Sequence, residues 1–556
     1  MAMRQLVTDV LVIGGGAAGL RAALAAAEAG SRVLLTNKGP LARSGTTLTA
    51  AGGLQAPFHP DDSPGQFFAD AVAAGYGLGD ENLIRVLAED ACEQALDIER
   101  FGGQFVRCAD GSLDLRRFPG LSQARNLFVK GGGVGLAAAL AQACRRQPAI
   151  DVLDDFFVSG LTSGRSGVTG ACGVNLREGV LTRIDAKAVV MATGGCQWLW
   201  AVSDCPADAT GDGIVQALRA GAELVDMEMV LFYPSVLVWP PSLKGTFVHY
   251  EFLDAAILDG NIYDKDGVSL LPKPLPVRDE AMRLMAAAIS EGRGGDHGGV
   301  FWYAGDSPRG GEEVRKITDL AQYNYLRAHG VEPAADRIEV APGAHYLMGG
   351  IHIDEDCRTA AAGLFAVPEC AGNFDGANRL AGSAIIATQV FGARAGLAAH
   401  RQAAAGGRGG ADPASVERES SRLRGRLSQG KGSGPAVSDL RQRLQAAVQK
   451  YAGVRRDAAG LARLRATADE IQAAAAAISV PADGVFNQQL VDVLQLDSMC
   501  DIARIVAGSA LVREESRGHH FRSDFPRRDD AAWRRHTLVT GDPAAPQFTT
   551  KAVVRL

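Results

Sequence analysis

The sequence has no CxxC pair. Its nine cysteines are scattered, so neither a structural zinc site nor an in-chain iron–sulfur cluster is indicated, and reduced, mostly buried thiols are expected. It also lacks an uninterrupted apolar run long enough to span a bilayer. The first residues, MAMRQLVTDVLVIGGG, lack the apolar length and cleavage pattern of a secretory peptide. A cytoplasmic protein with no direct membrane span is therefore expected. No sign of charge dominates: a formal net charge of −6 gives no electrostatic reason to bind nucleic acid or an anionic membrane, which points to small solutes as partners. No internal repeat is evident. Glycine, by contrast, is abundant at 67 residues, so any single glycine motif must be discounted against chance. A chain of 556 residues with 47% hydrophobic content is globular and too long for one ordinary core, and two or three domains are expected.

Residues 9–13 (DVLVI) form an apolar run suited to a strand buried on both faces. The alanine-rich stretch 17–29 favours helix, and 32–36 (RVLLT) reads as a second strand. Between the first two lie Gly14, Gly16 and Gly19, a GxGxxG run with Ala17 and Ala18 opening the helix. The first glycine permits the tight turn, the second lets backbone approach a pyrophosphate, and the third allows close helix–strand packing. This is the opening βαβ unit of a dinucleotide site. The acidic residue expected at the end of the second strand is absent, and Thr36, Asn37 and Lys38 stand there, which weakens a simple NAD reading. The glycine- and hydroxyl-rich loop 43–53 (RSGTTLTAAGG) follows, with Ser44, Gly45, Thr46, Thr47, Gly52 and Gly53 as small groups able to surround a cofactor. Further β-like runs at 150–153 and 188–192 extend the same α/β pattern.

From about 235 to 341 the texture changes to aromatic and proline-rich loops (YPSVLVWPP) with one helix candidate at 279–290. The α/β pattern resumes at 342. A linker (QAAAGGRGGADPAS) comes after 396, and 438–479 is helical in character, with Gly453 and Gly460 marking breaks. The expected class is α/β. A discontinuous Rossmann-like domain (1–234 and 342–400) would carry an inserted α+β capping domain (235–341), a helical domain (401–500) and a tail (501–556).

The stretch 342–396 crowds His345, Tyr346, Glu369 and Arg379 among apolar residues and glycine turns. Such groups are costly to bury without partners, so their setting suggests a site. Its HYLMGGI, GLFAVPE and GANRLAGS segments resemble, in order, the second flavin-binding segment of the fumarate reductase and succinate dehydrogenase flavoproteins. MATGG (191–195), TGDG (210–213) and the tail run ESRGHHFRSDFP match further family segments; the alpha subunit of adenylylsulfate reductase is a relative, as is L-aspartate oxidase. The resemblance implies a flavoprotein that moves hydride between the N5 atom of FAD and a carbon–carbon bond next to a carboxylate. It implies that the cofactor is held by the glycine turn, by Thr36 and Lys38, by the 43–53 loop, and by Phe157, Val158, Thr193, Gly194 and Asp212. Glu369 would meet the ribose, with Asn378, Ser383 and Ile385 near the ring, where a helix starting near Ser383 would point its positive end. Thr46 stands where many members carry a histidine covalently linked to FAD, which implies noncovalent FAD.

For the substrate, the resemblance assigns carboxylate binding to Arg379 and His345, proton transfer to Arg278, and support of the relay to Glu251. The pattern also departs from the family. MEMVLFYPS (227–235) puts Tyr233 in place of the histidine that touches the far carboxylate. Tyr250 and Glu251 stand for a threonine–glutamate pair, Asp254 replaces an arginine, and Asp375 replaces the histidine before GANRL. Tyr233 and Tyr250 are thus expected in a substrate pocket that takes one anchored carboxylate and an aromatic or otherwise uncharged distal group, rather than plain fumarate or succinate. Alternatives are L-aspartate-oxidase-like amine oxidation and a flavin-binding electron-transfer subunit. The absence of a cluster motif leaves room for an iron–sulfur or other electron-transfer partner, and the oligomeric state is left open. In the tail, Arg513, Glu514, Glu515, Arg517 and Arg522 read as an ion-pair network. The adjacent His519 and His520 are discounted as a metal site, so no metal is expected.

Overall fold

The computed structural model describes residues 3–165, 167–254, 258–304, 320–406, 410–428, 434–482 and 484–556. Strand Arg4–Ile13 lies inside a sheet ordered Ile150–Leu153, Val33–Thr36, Arg4–Ile13, Val180–Met191, Gly167–Asn175, Phe156–Gly164. The first four strands are parallel, with Ile13 opposite both Thr36 and Met191, so their carboxyl ends align at one edge, where ligands bind in open α/β sheets. The strand begins five residues earlier than its apolar run, because residues 4–8 are largely exposed and carry no burial signal.

The chain returns to this sheet much later. Strand Leu364–Ala366 pairs in parallel with the last residues of Val180–Met191, matching Ala366 to Met191. Helix Ser383–Ala404 then packs on helix Ala17–Glu28. A Cβ on Gly396 would stand 2.3 Å from the Ala22 carbonyl oxygen, so glycine lets the two helices touch through their backbones.

The intervening segment forms a second, antiparallel sheet ordered Val230–Leu237, Ile338–Leu347, Val300–Tyr303, Asn261–Tyr263, with helix Arg278–Ser290 against it. Its own core includes Val236, Leu237, Met285, Trp302 and Val340. The two long strands run past both ends of the expected 235–341 insertion, and Phe232 pairs with Ala344, so the cap shares strands with the body rather than hanging from two linkers.

Helices Pro413–Arg424, Val437–Tyr451, Ala458–Ala476 and Gln488–Val512 make the helical part. Gly453 falls in the break between the second and third. Gly460 does not break a helix: its N–H donates to the capping Asp457 at 2.7 Å. The last helix crosses the expected 500/501 border, and the tail hairpin Arg535–Thr540/Gln547–Ala552 joins the body through Leu224–Val225. Arg513, fully buried, donates to Glu228 at 2.5 Å and Asp226 at 3.3 Å and meets Glu515 at 3.2 Å. Arg517 joins Glu515 at 2.6 Å and Arg522 joins Asp524 at 2.7 Å, whereas Glu514 is exposed and stands outside this network. All nine cysteines are unpaired thiols. Among the described residues no helix is long and apolar enough to cross a membrane.

Candidate functional site

A cleft opens where the parallel strands end. Gly14 turns there with φ +112, and a Cβ on it would lie 2.2 Å from the Ala192 carbonyl oxygen. Gly19 does not line the cleft; it lies against the turn, where a Cβ would come 1.9 Å from the Gly14 oxygen. Gly16 caps helix Ala17–Glu28 through backbone alone. Thr47 Oγ1 accepts the Ala17 N–H at 3.0 Å and Asn37 Oδ1 accepts that of Gly15 at 3.2 Å, which ties the 43–53 loop and the second strand to the turn. Gly14, Gly16, Ala17, Ala18 and Thr36 line the cleft, and Ser44, Gly45, Thr46 and Thr47 form one flank. Phe157, Val158, Thr193 and Gly194 form the other.

Lys38 reaches the TGDG segment, donating to the Asp208 carbonyl at 2.6 Å, Thr210 Oγ1 at 3.3 Å and Asp212 Oδ2 at 3.2 Å. Glu369 is buried at the cleft's far end, where its Oε1 accepts a hydrogen bond from Gln197. Burial pushes its carboxyl up to about 7. Thr193 Oγ1 and Asp212 Oδ1, on residues that line this cleft, are buried without protein partners. Buried polar atoms are almost always satisfied, so this edge is chemically matched to a ligand rich in hydroxyl and phosphate groups. A glycine turn, a helix N-terminus and unspent polar atoms together fit a flavin dinucleotide.

The cleft runs on past Thr46, Thr47, Pro368, Glu369 and Thr388, which line it and a second cavity alike. Gly52, Gly53 and Ile385 lie in that cavity. Its chemistry comes from both bodies of the protein: Glu251 and Arg278 from the cap, Arg379 from the returning segment, and His345 from the strand they share.

Arg278 is the first residue of its helix. Its Nε donates to Glu251 Oε1 at 2.6 Å and Nη2 donates to the same oxygen. Tyr233 donates its hydroxyl to Glu251 Oε2 at 2.7 Å and accepts the Tyr250 N–H at 3.0 Å, and the Arg278 guanidinium lies 4.9 Å over the Tyr233 ring. Burial alone would raise the Glu251 carboxyl, but Arg278 and the Tyr233 hydroxyl outweigh it and hold it at about 2. Arg278 Nη1 is buried with no protein partner.

Arg379 stacks 4.5 Å over the Tyr346 ring and donates from Nη1 to the Leu380 carbonyl at 2.9 Å, leaving Nε unpartnered. Beside it, burial pushes the Asp375 carboxyl up to about 7 despite the guanidinium's pull. His345 Nδ1 meets Asp204 Oδ2 at 2.6 Å, and its ring lies 5.1 Å from that of Tyr233.

Three expected site residues face elsewhere. Tyr250 lines a different cavity, behind Arg278, where its hydroxyl donates to the Pro276 carbonyl at 2.7 Å. In the 3-10 turn Tyr250–Leu253, Glu251 faces the larger cavity and its neighbour does not. Asn378 Oδ1 hydrogen-bonds to His519 Nε2 at 3.0 Å, and Ser383 Oγ donates to the Leu380 carbonyl at 3.1 Å. Both line a small separate cavity, so at the start of helix Ser383–Ala404 it is Ala384 and Ile385 that face the larger one. Sequence reasoning missed Asp204, Cys205, Phe118, Asn126, Phe128, Phe247 and His249 in the cavity, and Gln197 on Glu369. His249 had a signal, standing directly before the Tyr250–Glu251 pair; Asp204 had none. Among the described residues no cluster of His, Cys, Asp or Glu could hold a metal, and His520 is spent on Arg456 at 3.1 Å and the Arg513 carbonyl at 3.3 Å.

A dinucleotide cleft that opens into an arginine-lined cavity defines an FAD-dependent oxidoreductase. The family description "FAD binding domain" matches residues 9–385, and "Fumarate reductase flavoprotein C-term" matches 441–555. The chain is 33% identical to one of the subunits of the fumarate reductase (CoM/CoB) of Methanothermobacter marburgensis, over 97% of this chain and 98% of that one. It is 32% identical to an L-aspartate oxidase of Streptomyces coelicolor over 97% of this chain and 92% of that one. Its fold is similar to the solved flavoprotein of Escherichia coli quinol fumarate reductase, with TM-score 0.91 and 28% identity, covering 100% of this chain and 98% of that one. The protein belongs to the fumarate reductase/succinate dehydrogenase flavoprotein family, and its cofactor is FAD.

Proposed function

We propose that the protein adds or removes a hydride and a proton across a carbon–carbon bond next to a carboxylate. Bound FAD supplies the hydride chemistry. The observation that carries the reading is Arg278 Nη1, a buried N–H group without a protein partner on a side chain that lines the cavity continuous with the dinucleotide cleft. Arg379, whose donors are largely unspent, grips the substrate carboxylate, and His345 fixes its orientation. Arg278 moves the proton. An arginine is a poor acid in water, and here, against the pull of burial, Glu251 holds its pKa higher still. What the site supplies is position, since Glu251, anchored by Tyr233, holds the fork in one place.

The FAD is held noncovalently, since a threonine, Thr46, stands at the flank of the cleft where linkage would form. Electrons pass to or from an iron–sulfur or other electron-transfer partner, a reading supported by the lack of any metal-holding cluster among the described residues. A cytoplasmic location accords with the absence of a crossing helix among them. Amine oxidation is the rival reading. The acids that line the cavity are already engaged, Asp204 by His345, Glu251 by Arg278 and Tyr233, and Glu369 by Gln197, which favours carbon–carbon chemistry.

The test is anaerobic. The bound flavin is reduced, unsaturated carboxylates are added, and reoxidation is followed by absorbance, in wild type and in Arg278→Gln. Reoxidation is expected in wild type, with a loss of about a thousandfold in Arg278→Gln at unchanged flavin content. Equal rates in the two would remove Arg278 from the proton step, and peroxide formed from amino acids alone would favour amine oxidation.

A further inference from the structure

We infer that the substrate is a monocarboxylate bearing an aromatic ring, of the aryl-substituted propenoic or propanoic acid class, and that Asp204 and the aromatic wall enforce this choice. The inference rests on the proposed carboxylate chemistry and concerns which acid the cavity admits.

The positive groups that line the cavity do not all remain available to a ligand. Arg278 is matched by Glu251, which takes two of its N–H groups on one oxygen and the Tyr233 hydroxyl on the other. His345 is matched by Asp204 at 2.6 Å, so that pair leaves no surplus positive charge. Arg379 forms no ion pair among the described residues and keeps Nε unpartnered. Arg278 keeps one donor, Nη1, which the proposed proton step uses, so Arg379 is the cation left to anchor a carboxylate, and it anchors one.

A second carboxylate would meet acids and groups already committed, with His249 packed against the Phe247 and Phe252 rings. The Tyr233 hydroxyl is given to Glu251, and Glu369 adds an acid of its own to the wall. Burying an anion without a partner is prohibitive. The remaining wall is aromatic. Phe118 and Phe128 meet edge to face at 6.3 Å, as do Tyr233 and Phe247 at 5.3 Å and Phe247 and His249 at 5.4 Å. Rings arranged this way favour a further ring among them, by offset or edge contact. Asp204 thus acts as a specificity-determining residue: it takes His345 Nδ1 and sets its own negative charge in the wall that a second acid group would have to face.

The test uses purified, FAD-loaded protein with oxidised flavin. Cinnamate, 3-phenylpropanoate, crotonate, fumarate and succinate are titrated in, and binding is read both by calorimetry and by the change in flavin absorbance. Cinnamate is expected to bind at least about tenfold more tightly than crotonate or fumarate. Phe247→Ala, and separately Phe118→Leu, should weaken cinnamate by roughly fivefold while leaving crotonate within about twofold. Asp204→Asn should tighten fumarate by about tenfold, because it removes a negative charge from the wall. Fumarate binding most tightly in wild type, or no response of fumarate to Asp204→Asn, would overturn the inference. If crotonate and fumarate bind and also reoxidise the reduced flavin while cinnamate does neither, the substrate class falls and the carboxylate chemistry stands. If no acid binds although the flavin is in place, both fall.

Discussion

Asp375 sets how the site responds to pH. Its carboxyl titrates at about 7, above the usual carboxylate range, because burial disfavours the ion more than Arg379 favours it. Below that value Asp375 is protonated and Arg379 is undivided; above it, an anion competes for the guanidinium proposed to grip the substrate. Affinity for a monocarboxylate is therefore expected to be flat in mildly acidic buffer and to weaken by up to about tenfold per pH unit above neutrality. Asp375→Asn should reduce the slope to the part due to Glu369, whose carboxyl is also pushed up to about 7, which calorimetry across the pH range would check. Thr46 yields a simpler expectation: acid precipitation should leave all of the flavin in the supernatant. The residues legible in the sequence, Arg278, Arg379, His345 and Glu251, sit in ordered motifs that announce buried polar chemistry. Asp204 was illegible because its role exists only through a contact 141 residues away in the chain. Tyr250 was misjudged because spacing alone does not say which side of a single turn a side chain takes.

At the scale of elements, the amino-terminal strand, turn and helix were legible because apolar run, glycine spacing and alanine content all agree there. Their packing is tight enough to test. A Gly19→Ala change would push a methyl to within 1.9 Å of the Gly14 oxygen, in backbone that cannot yield without moving the helix off the strand. A loss of about 1–3 kcal/mol is expected, with reduced flavin content, measurable by thermal unfolding and absorbance. The cap's helix, expected at 279–290, forms as Arg278–Ser290, and the one-residue difference matters: the catalytic candidate is the opening residue of the helix. The cap's borders were not legible. A strand reads the same in sequence whether its partner belongs to its own domain or to another, and here Val230–Leu237 and Ile338–Leu347 serve both.

For the whole molecule, the tail is a structural part of the body rather than an appendage. Arg513, Asp226, Glu228, Glu515 and Arg517 form a buried cluster that joins the last helix, the segment before the cap and the tail hairpin. Arg513→Ala would strand the acids without a counter-charge, at an expected cost of about 3–5 kcal/mol, seen as a lower melting temperature. The sequence shows these charges plainly, but not that Asp226 and Glu228, nearly 300 residues earlier, complete the cluster.

The strand Leu364–Ala366 carries a consequence for biosynthesis. While the nascent chain is still being translated, the sheet that will hold the flavin exists without its last parallel edge, without Glu369, and without the helix that packs over Ala17–Glu28. Cofactor capture therefore waits until some four hundred residues have emerged from the ribosome, and a polypeptide terminated ahead of Leu364 should emerge colourless.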